Sequence, residues 1–257
     1  MSDQASHLRH LVLRAARLRG AEGAPPPRIV AVLAAREGLG VTTAAALLGQ
    51  ALADQGSRVV LIDCDRQQTD LANRCGLVVP ASYTAKVARQ DIHEALLPLP
   101  GGLQIVPGVW EDAAKPAERV LQQLLRQFQQ LGRHADLLVL DLGCVETEVL
   151  CAWRDSIETF LLVTTPASAA VMDTYTLIKR FLANRAGQGT ELLVNQAAQR
   201  READDVFARV DRSCRRFLGF GLELAGHLPS PARASDLNAI AARLSEGNSD
   251  GQRRSAA

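Results

Sequence analysis

The stretch Ala35-Arg36-Glu37-Gly38-Leu39-Gly40-Val41-Thr42-Thr43 brings two glycines, a cation, a carboxylate and two hydroxyls together. A Gly-rich turn between a strand and a helix is the arrangement that holds a phosphate. Its backbone N–H groups and the helix N-terminus surround the anion, and a hydroxyl at the helix start can reach Mg²⁺. The flanks suit that reading: Ile29–Ala34 is an apolar run, and an Ala-rich stretch opens at Thr42. Against the phosphate-loop pattern G-x-x-x-x-G-K-[ST], Ala35 stands at the first glycine and Val41 at the lysine. The loop has the shape of a phosphate site without its principal cation. A glycine-containing strand-to-helix turn also occurs in α/β proteins that bind no phosphate, so the segment decides nothing alone.

Two other segments accompany it. Leu61-Ile62-Asp63-Cys64-Asp65 puts two carboxylates at a strand end, and Leu137-Leu138-Val139-Leu140-Asp141, followed by Gly143, puts another at a second. Open α/β sheets build their sites at the carboxyl ends of strands. There Asp141 reads as the Walker B acid that holds Mg²⁺ or its water, with Gly143 as a switch glycine. The candidate metal ligands are Thr42, Asp63 and Asp141. Each acid alone also reads as a solvated strand-end carboxylate; the three pieces in this order argue for a site.

The elements that must position these groups follow from periodicity. Short apolar runs predict strands over Ile29–Ala34, Arg58–Asp63, Leu103–Val106, Leu137–Asp141, Thr159–Thr164, Glu191–Asn195 and Leu222–His227. Helical spacing predicts helices over Thr42–Gln55, Ile92–Leu97, Ala117–Leu131, Val145–Arg154, Ala169–Ala183, Glu202–Phe217 and Asp236–Leu244. Their alternation predicts an α/β fold: a doubly wound, mostly parallel sheet of about seven strands flanked by helices. Residues 28–245 form that domain in this reading. Ahead of it lie an amphipathic, arginine-rich helix (1–19) and a Gly/Pro linker (20–27), and behind it a polar tail without structure (246–257).

Composition narrows the functional classes. A chain of 257 residues with 47% hydrophobic and 22% charged residues can bury one large core. The net charge of +1 gives no field for coating nucleic acid, so direct nucleic acid binding is not expected. Five widely spaced cysteines with no CxxC pair suit neither a disulfide framework nor a zinc site. No apolar run is long enough to span a bilayer and no signal core precedes the domain, which predicts a cytoplasmic protein.

The constellation resembles the MinD/ParA family of deviant-Walker ATPases. The family's K-G-G-V-G-K-T-T aligns with Arg36 to Thr43, and Val163-Thr164-Thr165-Pro166, Val194-Asn195 and Gly226-His227-Leu228-Pro229 are similar to its later segments. The resemblance implies ATP with Mg²⁺ as cofactor, held by Arg36, Gly38, Leu39, Gly40, Val41, Thr42, Thr43 and, at the adenine, Asn195. It implies that Asp65 activates water, that Asp141 and Thr42 organise the metal, and that Arg36 acts across a nucleotide-dependent homodimer.

Two departures modify this. Val41 removes the lysine that grips the phosphate within the subunit, and Glu37 sets a carboxylate beside the phosphate position. Two unit charges ~4 Å apart interact by about 4 kcal/mol at an effective dielectric of ~20, so exchanging attraction for repulsion costs several times RT. Hydrolysis is therefore expected to be lost or nearly so, and nucleotide binding weak or lost. The family's membrane-binding C-terminal helix is also reduced here to Leu237, Ile240, Ala241 and Leu244, so membrane association is expected to be weak or to run through a partner or the cell pole.

Within the family the sequence is similar to the FlhG (FleN or YlxH) regulators of flagellar number and placement. Asp3, Gln4, Ala5, Leu8 and Arg9 match their D-Q-A-x-x-L-R element, which implies a FlhF-type GTPase as partner and stimulation of that GTPase as the activity. A working ATPase with a dimer cycle and a pseudo-ATPase adaptor for a pilus or secretion machine remain as alternatives.

Overall fold

The computed structural model describes residues 25–80, 92–110, 116–144, 146–183 and 189–255. The elements predicted at residues 1–19, and with them Asp3, Gln4, Ala5, Leu8 and Arg9, lie outside the described residues.

Runs of Val, Ile and Leu make the strands because β-branched and aliphatic side chains pack well on a surface covered on both faces. They are β1 (Arg28–Ala34), β2 (Val59–Asp63), β3 (Leu97–Pro98), β4 (Gln104–Val106), β5 (Leu137–Cys144), β6 (Thr159–Thr164), β7 (Thr190–Asn195) and β8 (Glu223–Leu228). They form one sheet in the order β3-β4-β2-β5-β1-β6-β7-β8, parallel throughout except for β3, which runs antiparallel to β4. The seven predicted strands are all present. The additional strand, β3, is a two-residue edge piece too short to leave a periodic signal, and it takes in Leu97 where a helix over Ile92–Leu97 was expected. Only a 3₁₀ turn, Ile92–Glu94, forms there.

The helices are α1 (Val41–Asp54), α2 (Leu71–Arg74), α3 (Glu118–Gln129), α4 (Thr147–Trp153), α5 (Ser168–Leu177), α6 (Arg200–Leu218) and α7 (Asn238–Ser255), with a π-helical turn, Ile178–Leu182, continuing α5. In α6 the buried Ala203, Val206, Val210 and Cys214 recur at helical spacing, and Gly219 closes the helix in the left-handed conformation that an L side chain resists. Helix α7 corrects the expectation of an unstructured tail from residue 246. Its first turns are anchored by the buried Ile240, Ala241 and Leu244, and an existing helix extends at one hydrogen bond per added residue.

The sheet divides the core in two. One apolar layer holds Leu121, Phe128, Trp153, Val171 and Val206 from α3, α4, α5 and α6. The other holds Val41 and Leu48 of α1, Leu71 of α2 and Ile240 of α7, together with Leu39 of the loop. Helix α1 lies close on the sheet: a Cβ added at Gly49 would sit 2.6 Å from Leu61 Cδ2. Gly49→Val is therefore expected to lower unfolding free energy by about 1–3 kcal/mol in urea titrations, the usual cost of overpacking. An unchanged midpoint would mean that α1 stands off from β2.

Candidate functional site

The loop after β1 is shaped by two glycines. Gly38 (φ 78°) and Gly40 (φ 85°) are both left-handed, and Gly40 forms the N-cap from which α1 starts. Gly40 is needed for space as well, because a Cβ there would lie 2.3 Å from Asn195 Nδ2. Asn195, at the end of β7, donates from Nδ2 to the Leu39 carbonyl at 2.8 Å and accepts from the Gln196 N–H at 2.9 Å. Its side chain thus ties the last strand before α6 to the loop.

Val41 turns inward. It is 6% exposed and packs with Leu39 in the apolar layer under α1. A short branched side chain at this position is stabilised by burial and reaches no charge in the cleft. Glu37 is exposed and lines the cleft, and its charge, with those of Asp65 and Glu146, adds to burial in pushing the Cys144 thiol up.

The acids converge as the register requires: Asp63 and Asp141 are opposed on adjacent parallel strands. Asp63 accepts from the Asp65 N–H at 3.2 Å and, through its other oxygen, from the Leu71 N–H at 3.1 Å. Both oxygens of this predicted metal ligand are given to backbone donors, so Asp63 holds the loop after β2 and the start of α2. Asp65 accepts from the N–H groups of Gln67 (2.8 Å) and Gln68 (3.2 Å). Its Oδ2 lies where a side chain on Gly143 would be, 2.1 Å from an added Cβ, and Gly143 has φ 57°. Only glycine lets the loop after β2 close against the end of β5 in this way.

Asp141 is fully buried and accepts the Gly143 N–H on Oδ1 at 3.0 Å, while its Oδ2 is buried with no hydrogen-bond partner among the described residues. Burial pushes its carboxyl up to about 6, although the nearby Thr42 hydroxyl and the Gly143 N–H pull it down; the charges of Asp65 and Asp70 add to the rise. Asp63 is pushed up to about 8, first by burial and then by Asp141. An orphaned carboxylate oxygen beside a threonine hydroxyl fits the hard oxygen donors that Mg²⁺ takes. Bound there, the ion would supply the positive charge that the buried acids lack.

Arg66, Glu146 and the two tryptophans fix the loop after β2 to the segment after β5. Arg66, its side chain only 6% exposed, pairs with Glu146 through Nη1 and lies over the Trp110 ring at 5.6 Å. Trp110 donates to the Cys64 carbonyl at 2.8 Å and stacks on Trp153 with ring centroids 5.9 Å apart. Sequence reasoning missed this cluster because its members are joined by the fold alone; the signal available was a chain with two tryptophans.

A cleft of about 500 Å³ runs from the loop 36–43 past Asp65, Asp70 and Arg74 to Asn195 and Pro229. Arg36 pairs with Asp173 of α5 at 3.4 Å, and Arg74 with Asp70 at 3.0 Å.

Both Asp63 and Asp141 hold a proton more tightly folded than unfolded, where carboxyls titrate near 3.8. Stability therefore falls as pH rises from that value through about 6 for Asp141 and about 8 for Asp63, and the loss is complete above those values. Asp141→Asn keeps an acceptor for Gly143 and removes the charge. In metal-free buffer it is expected to stabilise the protein at pH 8 by about 1–3 kcal/mol and much less at pH 4. Urea unfolding at the two pH values checks this, and a variant less stable than the parent at pH 8 would contradict it.

Comparisons with known proteins agree with this architecture. The profile of the "CobQ/CobB/MinD/ParA nucleotide binding domain" matches residues 30–215. The antiactivator FleN of Pseudomonas aeruginosa is 28% identical over 208 residues, 79% of this chain and 74% of that protein. The septum site-determining protein MinD of Synechocystis is 31% identical over 178 residues, 66% of this chain and 64% of that one. Among solved structures, MinD of Pyrococcus horikoshii in complex with Mg-ADP superposes with a TM-score of 0.65 at 18% identity, covering 85% of this chain and 96% of that one. With the match to the profile over most of its length, the chain belongs to the CobQ/CobB/MinD/ParA nucleotide-binding domain family.

Proposed function

We propose that this chain is a FlhG-like regulator of flagellar assembly, number or placement whose phosphate-loop core serves as a scaffold with hydrolysis lost or nearly lost. The observation that carries the reading is Val41. The position that ought to present a cation to a phosphate is instead buried in the apolar layer under α1, with Glu37 set at the mouth of the cleft. Phosphoryl transfer depends on positioned positive charge, and a buried valine supplies none. ATP or ADP with Mg²⁺ is then a weakly held ligand at Thr42 and Asp141, with Asp65 beside Gly143 and Asn195 behind the loop.

The likeness to FleN supports the flagellar assignment. In this reading Asp3, Gln4, Ala5, Leu8 and Arg9 form the surface that acts on a FlhF-type GTPase, in the cytoplasm or at a pole to which the partner recruits the protein. A second reading keeps a working ATPase that cycles through a nucleotide-dependent homodimer. It is favoured by the orphaned Asp141 Oδ2 beside Thr42, which retains the place for a metal.

The test adds the full-length protein, Gln4→Ala and Leu8→Ala variants, and a form lacking residues 1–19 to a FlhF-type GTPase and follows GTP turnover. Stimulation is expected from the full-length chain and is expected to be lost in all three altered forms while their circular dichroism keeps the α/β signature. Equal stimulation by the form lacking residues 1–19 would overturn the reading.

A further inference from the structure

Phosphate held at the loop needs a cation, and the chain has lost the one at position 41. Two arginines border the cleft, and their ion-pair partners place them differently. The partner of Arg36 is Asp173, which lies in a neighbouring hollow lined by Ala35, Thr147, Leu177 and Phe181, so Arg36 is drawn away over α5. Arg74 pairs with Asp70, and both members of that pair line the same cleft as Gly38 to Thr43. Arg74 is the last residue of α2, and α2 packs against α1, the helix that the loop opens. The anchor of α2 is the Leu71 N–H given to Asp63, so the guanidinium is carried on a segment tied to the buried acids.

We propose that Arg74 is the phosphate-binding cation of this chain, replacing from α2 the positive charge that Val41 does not supply from the loop. The ligand is the phosphate chain of a nucleoside di- or triphosphate, so the inference rests on the reading of the cleft as a nucleotide site but not on any hydrolysis there. Arg74 and Asp70 are each about half exposed, with side chains 54% and 40% accessible, and an exposed pair of this kind is weak enough to be exchanged for a phosphate. A guanidinium offers paired N–H donors that match phosphate oxygens, which suits a cation reaching in from the side of the cleft. Asp70 is then a competitor: it holds Arg74 in place when no ligand is bound and must release it when one is.

That competition gives the test two opposite signs. Binding of ADP and of ATP with Mg²⁺ is measured by calorimetry on the full chain and on Arg74→Ala, Arg36→Ala and Asp70→Asn, each checked by thermal melting. Arg74→Ala is expected to weaken binding at least tenfold and Arg36→Ala by less than threefold. Asp70→Asn removes a negative charge and the competing partner while keeping a good helix N-cap residue, and is expected to tighten binding several-fold. A merely structural role for the pair would weaken binding in both Arg74→Ala and Asp70→Asn. That outcome, or unchanged affinity in Arg74→Ala, overturns the proposal and leaves the nucleotide site standing. Absence of any binding by the parent chain overturns both.

Discussion

The parallel pairing of β2 with β5 sets Asp63 opposite Asp141 at the carboxyl edge of the sheet, under the loop and largely out of water. Two neighbouring buried carboxylates are costly unless protons, hydrogen bonds or a cation compensate them. Backbone donors meet part of that cost: the Asp65 and Leu71 N–H groups go to Asp63 and the Gly143 N–H to Asp141. Those same bonds fix the loop after β2, the start of α2 and the turn at the end of β5. The placing of Asp65 against Gly143, and of Arg74 at the cleft, follows from this one arrangement of charge.

The uncompensated remainder is informative. Asp141 Oδ2 has no partner among the described residues, while the described arginines bordering the cleft are engaged with Asp173 and Asp70. Buried acids without a paired cation therefore stand beside a loop whose position 41 is a valine and whose Arg36 is turned to Asp173. Such a core retains the architecture for folding around an anion and a metal, but not the fixed positive charge that would stabilise a transferring phosphoryl group. Regulation of a partner through the N-terminal element requires no such charge.

Much of this was legible in the residues. Seven strands were visible because parallel strands buried on both faces read as uninterrupted Val/Ile/Leu runs, and the Gly-rich turn was visible from Gly38 and Gly40 between a strand and an Ala-rich helix. The acids were legible from their positions at strand ends. What the residues did not disclose depends on long-range packing. The commitment of both Asp63 oxygens to backbone donors, the Asn195 bond to Leu39, and the joining of Arg66 to Glu146 over the Trp110 ring each link residues that no local pattern connects. The burial of Val41 was half legible: its chemistry was plain, but its inclusion in the apolar layer depends on how α1 packs on the sheet. The continuation of α7 to Ser255 was hidden because its polar, glycine-containing sequence has a composition that suits a tail equally well.

A loop with Val41 buried and Glu37 lining the cleft should be unable to carry out phosphoryl transfer, and the reading of the core as a scaffold stands on that inability. Phosphate release from ATP in Mg²⁺, followed continuously with the purified full-length protein at concentrations high enough to favour any dimer, tests it most directly. Release indistinguishable from protein-free buffer is expected, with turnover appearing only when Val41→Lys and Glu37→Gly are introduced together. Mg²⁺-dependent, multiple-turnover phosphate release by the unaltered chain would contradict it.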